Sequence, residues 1–410
     1  MLKKTALAIS IAMSANALAI SPETRQQYIA EFSMIKFMYP SEQASWYWQN
    51  LDQVLPQATV KRTVQQVKPL PRDLVDVNQV YGTLYKDEKL GSLMQGDNPS
   101  VNSMMIIKNG KVIFEHFNMP YNTRHVWMSN AKTIVGTLVA MLEAEGKIDV
   151  MQPLKHYLPE LNDKGWGQVR ILDVLNMQSG MDAEENDAAR ADVNSHITQL
   201  FLTEFAEATD YYDTLINIPT KGEAGKAFEY SSANTQMLGL LIARVEGKPL
   251  SQVFEERVWS KAQMTSDMAM TLTPDGHEVV HGLVTTNTED MARYAMLYTD
   301  SGNTIANERV ISKDIVNTIR TSVTPDVYTV SEASGPFEAF ADDLPLGGSY
   351  QFDAIWEDGD MFKGGMRGQG IYISPDKDVV AVWFSNRVEK HNVSGFVRNF
   401  VRSIKMDGYF

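Results

Sequence analysis

Cysteine is absent from all 410 residues, which removes disulfide-stapled scaffolds, thiolate-zinc modules, iron–sulfur proteins and cysteine-nucleophile enzymes at once. Basic residues are scarce: 37 Lys and Arg stand against 51 Asp and Glu, for a net charge of −14. A chain of that sign carries no footprint for a polyanion, so neither nucleic acid nor an anionic membrane surface is expected as a partner. Long apolar runs are missing too, since no stretch reaches the ~18 apolar residues that a membrane span needs. Also missing is any Gly-x-Ser-x-Gly elbow, the spelling of a nucleophile at a strand-to-helix turn. What is present is material for a core: 44% hydrophobic residues, in a chain long enough to bury roughly three quarters of its unfolded surface.

The start of the chain reads as an export signal. Lys3 and Lys4 form a positive segment, Ala6 to Met13 an apolar stretch too short to cross a bilayer, and Ala17-Leu18-Ala19 a cleavage site. Export to the periplasm or the medium, with the mature chain beginning at Ile20, is therefore expected. Residues 20–98 hold an amphipathic stretch from Gln27 to Phe37 and the aromatic Trp46, Tyr47 and Trp48; they are expected to form a covering arm and not a domain.

From Ser103 the pattern predicts a β-hairpin, Met104–Ile107 and Val112–Phe114 about an Asn109-Gly110 turn. A helix from about Ser129 follows, with Ile134, Leu138, Met141 and Leu142 on one stripe and Gly146 as its stop. Residues 151–282 are dominated by helical patterns, Ile171–Met177 and Thr235–Val245 among them, and the acidic run Asp182–Asp192 reads as a solvated loop. Another helix from Thr288 (Met291, Ala292, Ala295, Met296) leads to strands near Tyr350–Trp356, Gly370–Ile373 and Val379–Phe384. The last two are joined by the turn Ser374-Pro375-Asp376-Lys377, and an amphipathic helix Val393–Ile404 closes the chain. Strands at both ends with helices between predict an α/β (α+β) fold, a mainly antiparallel sheet flanked by helices. Residues 99–150 and 283–410 would build it, with 151–282 inserted as an all-helical subdomain.

Two catalytic spellings occur. His277-Glu278-Val279-Val280-His281 matches H-E-x-x-H, which binds zinc only where a helix puts both imidazoles on one face. Here Pro274-Asp275-Gly276 precedes it, Gly282 follows and the middle is β-branched, so exposed histidines on a strand or loop are expected, with a zinc peptidase as the remote alternative. Ser-x-x-Lys occurs three times: Ser33/Lys36, Ser129/Lys132 and Ser374/Lys377. Ser374 precedes a proline in a turn, and Ser33 lies on the arm far from other motifs. Only Ser129 opens a strongly periodic helix, where free N–H groups and the positive dipole end favour an alkoxide and an oxyanion. Lys132 stands one turn later on the same face, where burial would turn it into a base. The plain alternative is an N-cap serine followed by a solvated lysine.

Around these residues the sequence resembles the β-lactamase-related serine hydrolases: class C β-lactamases, penicillin-recognising esterases and peptidases, and 6-aminohexanoate-oligomer hydrolases. The resemblance runs from about Ser103 to Ser403. Trp127-Met128-Ser129-Asn130-Ala131-Lys132 matches the nucleophile motif, and Glu145–Ile148, Tyr157–Leu161 and Met177-Gln178-Ser179-Gly180-Met181 follow in the family's order. Phe228–Asn234 is similar to the second motif, which implies Tyr230 as the proton-transfer partner; class C enzymes read Tyr-x-Asn, whereas here Tyr230-x-Ser232 stands, with Asn234 two residues on. The third motif is similar to Lys363–Gln369, where Arg367 replaces a histidine of the oligomer hydrolases. That alignment implies the Met366 N–H as second oxyanion donor, with Gly368 beside it and Lys363 or Arg367 on a substrate carboxylate.

The resemblance implies a β-lactamase/transpeptidase-like fold and a metal-free, cofactor-free serine hydrolase acting on a small amide or ester. Ser129, Lys132 and Tyr230 would be catalytic, and Met366, Ser232, Asn234, Lys363, Arg367 and Gly368 would bind substrate or oxyanion. A β-lactamase, a D-amino-acid peptidase, or a non-catalytic sensor on the same scaffold are the alternatives.

Overall fold

The computed structural model describes residues 20–63, 66–77, 80, 88–94, 100–329, 340, 343–386 and 393–404; the expected leader, residues 1–19, lies outside them. Eleven strands are present among the described residues: β1 (Gln57–Val60), β2 (Val101–Lys108), β3 (Lys111–Phe117), β4 (His125–Val126), β5 (Met268–Thr271), β6 (Val284–Thr286), β7 (Gly347–Ser349), β8 (Phe352–Ile355), β9 (Met361–Gly365), β10 (Gln369–Ser374) and β11 (Val379–Ser385). Seven form one antiparallel sheet in the order β3-β2-β11-β10-β9-β8-β7. It joins the two ends of the chain through the β2–β11 pairing, which sets Met105 opposite Val382 and Ile107 opposite Val380.

The reason both ends meet is legible in the side-chain period of two. Met105, Ile107, Val380 and Val382 face a core shared with the helix Thr288–Met296. Their neighbours Met104, Ile106, Ala381 and Trp383 face a second core with Val393, Phe396, Val397 and Phe400 of the C-terminal helix. Helices on both faces leave no solvated side, so β2, β10 and β11 are buried along their whole length. The Asn109-Gly110 turn adopts left-handed φ at both residues (50° and 71°), the twist a two-residue hairpin requires. A second tight turn had no glycine or asparagine to announce it. Between β7 and β8, Tyr350 and Gln351 take φ of 45° and 72°, and that turn plugs the sheet edge into the helices through Tyr350 N–H on Asn176 and Gln351 N–H on the Leu175 carbonyl. Gly136 permits this approach, because a Cβ there would lie 1.9 Å from the Tyr350 carbonyl oxygen.

Four strands form a second antiparallel sheet, β1-β5-β6-β4. Neither it nor the participation of the arm in it was expected. The arm covers the molecule, as the helices Pro22–Ala30, Met34–Met38 and Glu42–Gln49 show, but it also supplies β1, which pairs with β5 from the stretch expected to be all-helical. The amphipathic run Gln27–Phe37 is broken in two, since Ser33 accepts the Lys36 N–H and starts a new helix. Among the described residues no helix is long and apolar enough to cross a membrane.

Candidate active site

Ser129 sits in a 3₁₀ turn, Met128–Ala131, that runs into the helix Lys132–Ala144. From Thr133 to Leu142 the helix is apolar or hydroxyl-bearing all round, and it is buried from Lys132 to Leu142, so it is a central helix and not the one-sided one its periodicity suggested. Met128 is left-handed (φ 49°), which is costly for a non-glycine residue and marks a turn held by its surroundings. Those surroundings are the Trp127 N–H on the Val284 carbonyl, 2.8 Å, and Asn130 Nδ2 on the Trp127 carbonyl, 2.9 Å.

Strand β9 presses on this turn from the other side. A Cβ on Gly365 would come within 2.9 Å of both Asn130 Nδ2 and the Trp127 carbonyl. Gly365→Ala is therefore expected to push the strand off the nucleophile turn and lower kcat by about 10²-fold, the scale of an ångström of misplacement; kcat compared with the unfolding midpoint checks that the loss is not one of folding.

Lys132 Nζ lies 3.3 Å from Ser129 Oγ, 2.8 Å from Ser232 Oγ and 3.0 Å from the His281 carbonyl oxygen. The lysine is fully buried, and burial pulls its pKa down to about 7, with the Glu185 carboxylate opposing and Lys363 assisting. Ser232 is held by its own N–H on Glu185 Oε1, 2.5 Å. Burial raises the Glu185 pKa, but Arg190, Lys132 and Ser232 outweigh it and hold the carboxylate at about 2. The acidic run 182–192 is thus not simply a solvated loop. The Glu185 N–H bonds the Tyr230 carbonyl, its side chain is 6% exposed against Arg190, and Asp187–Ala191 is a short helix.

Tyr230 is flanked by two lysine side chains, Lys363 Nζ 3.0 Å from its hydroxyl and Lys132 Nζ 5.2 Å from its ring centroid. Burial first, then the Asp353 and Glu185 carboxylates, pushes the phenol well above its usual range. Lys363 is fully buried, is depressed by that burial, and is ion-paired with Asp353, whose other oxygen accepts the Gly364 N–H at 2.9 Å. It serves the tyrosine and is not open to a substrate carboxylate. Arg367 is half-buried, and its Nε and Nη2 donate to the Met38 carbonyl of the arm at 3.1 and 2.7 Å. The Gly368 carbonyl holds the Trp383 indole, 2.6 Å. Asn234 is fully buried, with Nδ2 on Met177 Sδ at 3.4 Å, and is not brought to the pocket.

The N–H groups of Ser129 and Met366 donate to no acceptor among the described residues. Both residues line one small pocket, about 50 Å³, with Phe37, Met38, Met128, Phe201, Phe205 and Leu283 as its apolar wall and Glu185, Arg190, Ser232 and His281 on the polar side. The histidines of the zinc spelling stand apart from each other and on no helix. His281 Nε2 is 2.7 Å from the buried Glu204, so this ring is buried and not exposed as expected, while His277 stacks on Tyr212. Of the other Ser-x-x-Lys spellings, Ser33 caps a five-residue helix, and Lys377 Nζ bonds the Val401 carbonyl from the β10–β11 turn.

The family model for beta-lactamase matches residues 87–400. The chain belongs to the beta-lactamase family. It is accordingly a hydrolase of a serine-hydrolase family. It is 25% identical over 352 residues to 6-aminohexanoate-dimer hydrolase of Paenarthrobacter ureafaciens, spanning 83% of this chain and 85% of that one. Among solved structures, one from Bacillus anthracis provisionally described as a 6-aminohexanoate-dimer hydrolase superposes with a TM-score of 0.73 at 20% identity, covering 88% of this chain and 94% of that one. A D-stereospecific amidohydrolase from Streptomyces sp. gives 0.52 at 15% identity, over 73% and 93% of the two chains. At such identities these superpositions establish the fold.

Sequence reasoning missed Glu185, Arg190, Asp353 and the arm residues Phe37 and Met38 at this beta-lactamase-family site. Asp353 left a faint signal, an acid among Phe352, Ala354 and Ile355 in a predicted strand. Glu185 left none, being one of several acids in a polar run.

Proposed function

We propose that this protein is an exported amidase or esterase that cleaves a small amide or ester through an acyl-enzyme on Ser129. The observation that carries the reading is the buried Lys132, poised near neutrality and 3.3 Å from the Ser129 hydroxyl. A neutral Lys132 amine accepts the hydroxyl proton as Ser129 Oγ attacks the substrate carbonyl. The N–H groups of Ser129 and Met366 receive the oxyanion, where fixed donors cost no reorganisation. Tyr230 remains a phenol in this environment, so it acts as an acid: it gives its proton to the departing amine or alkoxide and regains one from the Lys132 ammonium. Water then attacks the acyl-enzyme with Lys132 again as base, and the carboxylic acid leaves. Ser232 and Glu185 hold Lys132, and Lys363 with Asp353 holds Tyr230.

The same reading has a discontinuous α/β unit and a helical unit facing each other across the site, with export directed by the segment ending near Ala19. A small amide or ester is favoured over a β-lactam because Ser232 stands where a Tyr-x-Asn pair would present an amide to the substrate. A panel of nitrocefin, short-chain nitrophenyl esters and 6-aminohexanoate dimer tests this. Esters are expected to turn over at least about tenfold more efficiently than nitrocefin; efficient nitrocefin hydrolysis would make the protein a β-lactamase, and acylation without release would make it a sensor.

A further inference from the structure

We infer that the N-terminal arm sets the length of acyl chain this enzyme accepts, with Phe37 and Met38 forming the far wall of the acyl pocket. The inference rests on the serine-hydrolase reading and extends it to the substrate class: esters or amides of short acyl groups.

Three observations carry it. The half-open pocket beside Ser129 is lined by side chains from three parts of the chain: Phe37 and Met38 of the arm, Phe201, Phe205 and Leu283 of the body, and Met366 of the third motif. Glu185 and Arg190 stand beside Tyr230, the proton donor to the leaving group, so the apolar wall that the arm completes is taken as the acyl side. Its volume of about 50 Å³ compares with the roughly 10–15 Å³ that one water needs on the same measure. About four heavy atoms fill that space, so a butanoyl chain occupies it and a longer chain has to extend past the arm side chains through the pocket's open side.

The wall is also fixed in place. Phe37 is 1% exposed, and its ring lies 5.0 Å from that of Phe205. Met34–Met38 is a five-residue helix, so its last carbonyls have no partner within it. The body and the arm supply those partners: the Trp48 indole N–H bonds the Phe37 carbonyl at 3.0 Å, and the Arg367 guanidinium bonds the Met38 carbonyl at 2.7 Å. Two consecutive carbonyls pinned at a helix end hold the two side chains at the pocket. On the polar side, Arg190 is ion-paired with Glu185 at 2.9 Å and keeps 38% of its side chain exposed, so the apolar wall is the one that Phe37 and Met38 complete.

Met38 is the position to change, because it is only partly buried and packs at the margin of the arm's core, whereas Phe37 lies within it. The measurement is kcat/KM of the full chain, wild type, Met38→Ala and Met38→Trp, on nitrophenyl acetate, butyrate and octanoate. Met38→Ala is expected to raise the octanoate-to-butyrate ratio by roughly tenfold or more, and Met38→Trp to lower the butyrate-to-acetate ratio by a similar factor, the scale of one or two methylenes in an apolar pocket. Loss of folding does not move two ratios in opposite senses. Wild-type turnover with ratios that neither variant moves overturns the inference and leaves the hydrolase reading standing. No ester turnover at all by wild type, or turnover that persists in Ser129→Ala, overturns both.

Discussion

Replacing Ser129 with alanine is expected to abolish covalent labelling by a fluorophosphonate and to lower kcat for the best ester by at least about 10⁴-fold, because members of a nucleophile–base unit fail together when one is removed. In the wild type the label's phosphorus becomes bonded to Ser129 Oγ as fluoride leaves and Lys132 takes the proton. Nothing else in the pocket replaces that chemistry. The hydroxyl of Ser232 is 2.8 Å from the same lysine, but Ser232 is 1% exposed, whereas Ser129 is half-buried. Intact-mass measurement after labelling decides the matter, since undiminished labelling of Ser129→Ala would remove Ser129 from the mechanism. The substitution deletes one atom from a side chain at the pocket surface, so the fold is expected to survive it.

Lys132→Met is the second large effect, a loss of about 10²–10⁴-fold in kcat/KM, the usual worth of a positioned general base. The pH profile makes the test specific. In the wild type the active form is the neutral amine, so kcat/KM should fall as pH drops through about 7, the pKa to which burial pulls Lys132. The methionine variant should lack that limb. Glu185→Gln gives the sign of the coupling: the carboxylate favours the ammonium form and raises the lysine's pKa, so removing its charge should move the limb to lower pH. A shift toward higher pH, or an unchanged limb in both variants, would show that another group titrates. Methionine fills the volume of the lysine stem without a buried charge, which limits the cost in stability.

Much of the architecture was legible in the sequence because it depends on neighbours a few residues apart. The Asn109-Gly110 turn needs only two residues that tolerate left-handed φ. The split of Met104 and Ile106 from Met105 and Ile107 onto two cores follows from the pleat, and runs of apolar residues said that both faces would be covered. The turn at Tyr350 and Gln351 was not legible: neither residue favours positive φ, and it is the packing against Asn176, Leu175 and Gly136 that stabilises it. Likewise the acidic run 182–192 has the composition of a solvated loop, yet Glu185 enters the site because Ser232 and Arg190 await it there.

By itself the sequence determined that Ser129 and Lys132 share one face, since a spacing of three residues at a helix opening sets them one turn apart, and it marked them as the proposed nucleophile and base. It determined the sheet's composition from both chain ends for the same local reason. The tertiary structure decided everything that makes the pair reactive. The Lys132 pKa is a property of burial, and its partners Ser232 and the His281 carbonyl are 100 and 149 residues away. Tyr230 meets Lys363 across 133 residues, and Arg367 meets Met38 across 329. Spacing encodes contacts one turn apart; desolvation, ion pairing and the closing of a pocket arise only when distant segments exclude water together.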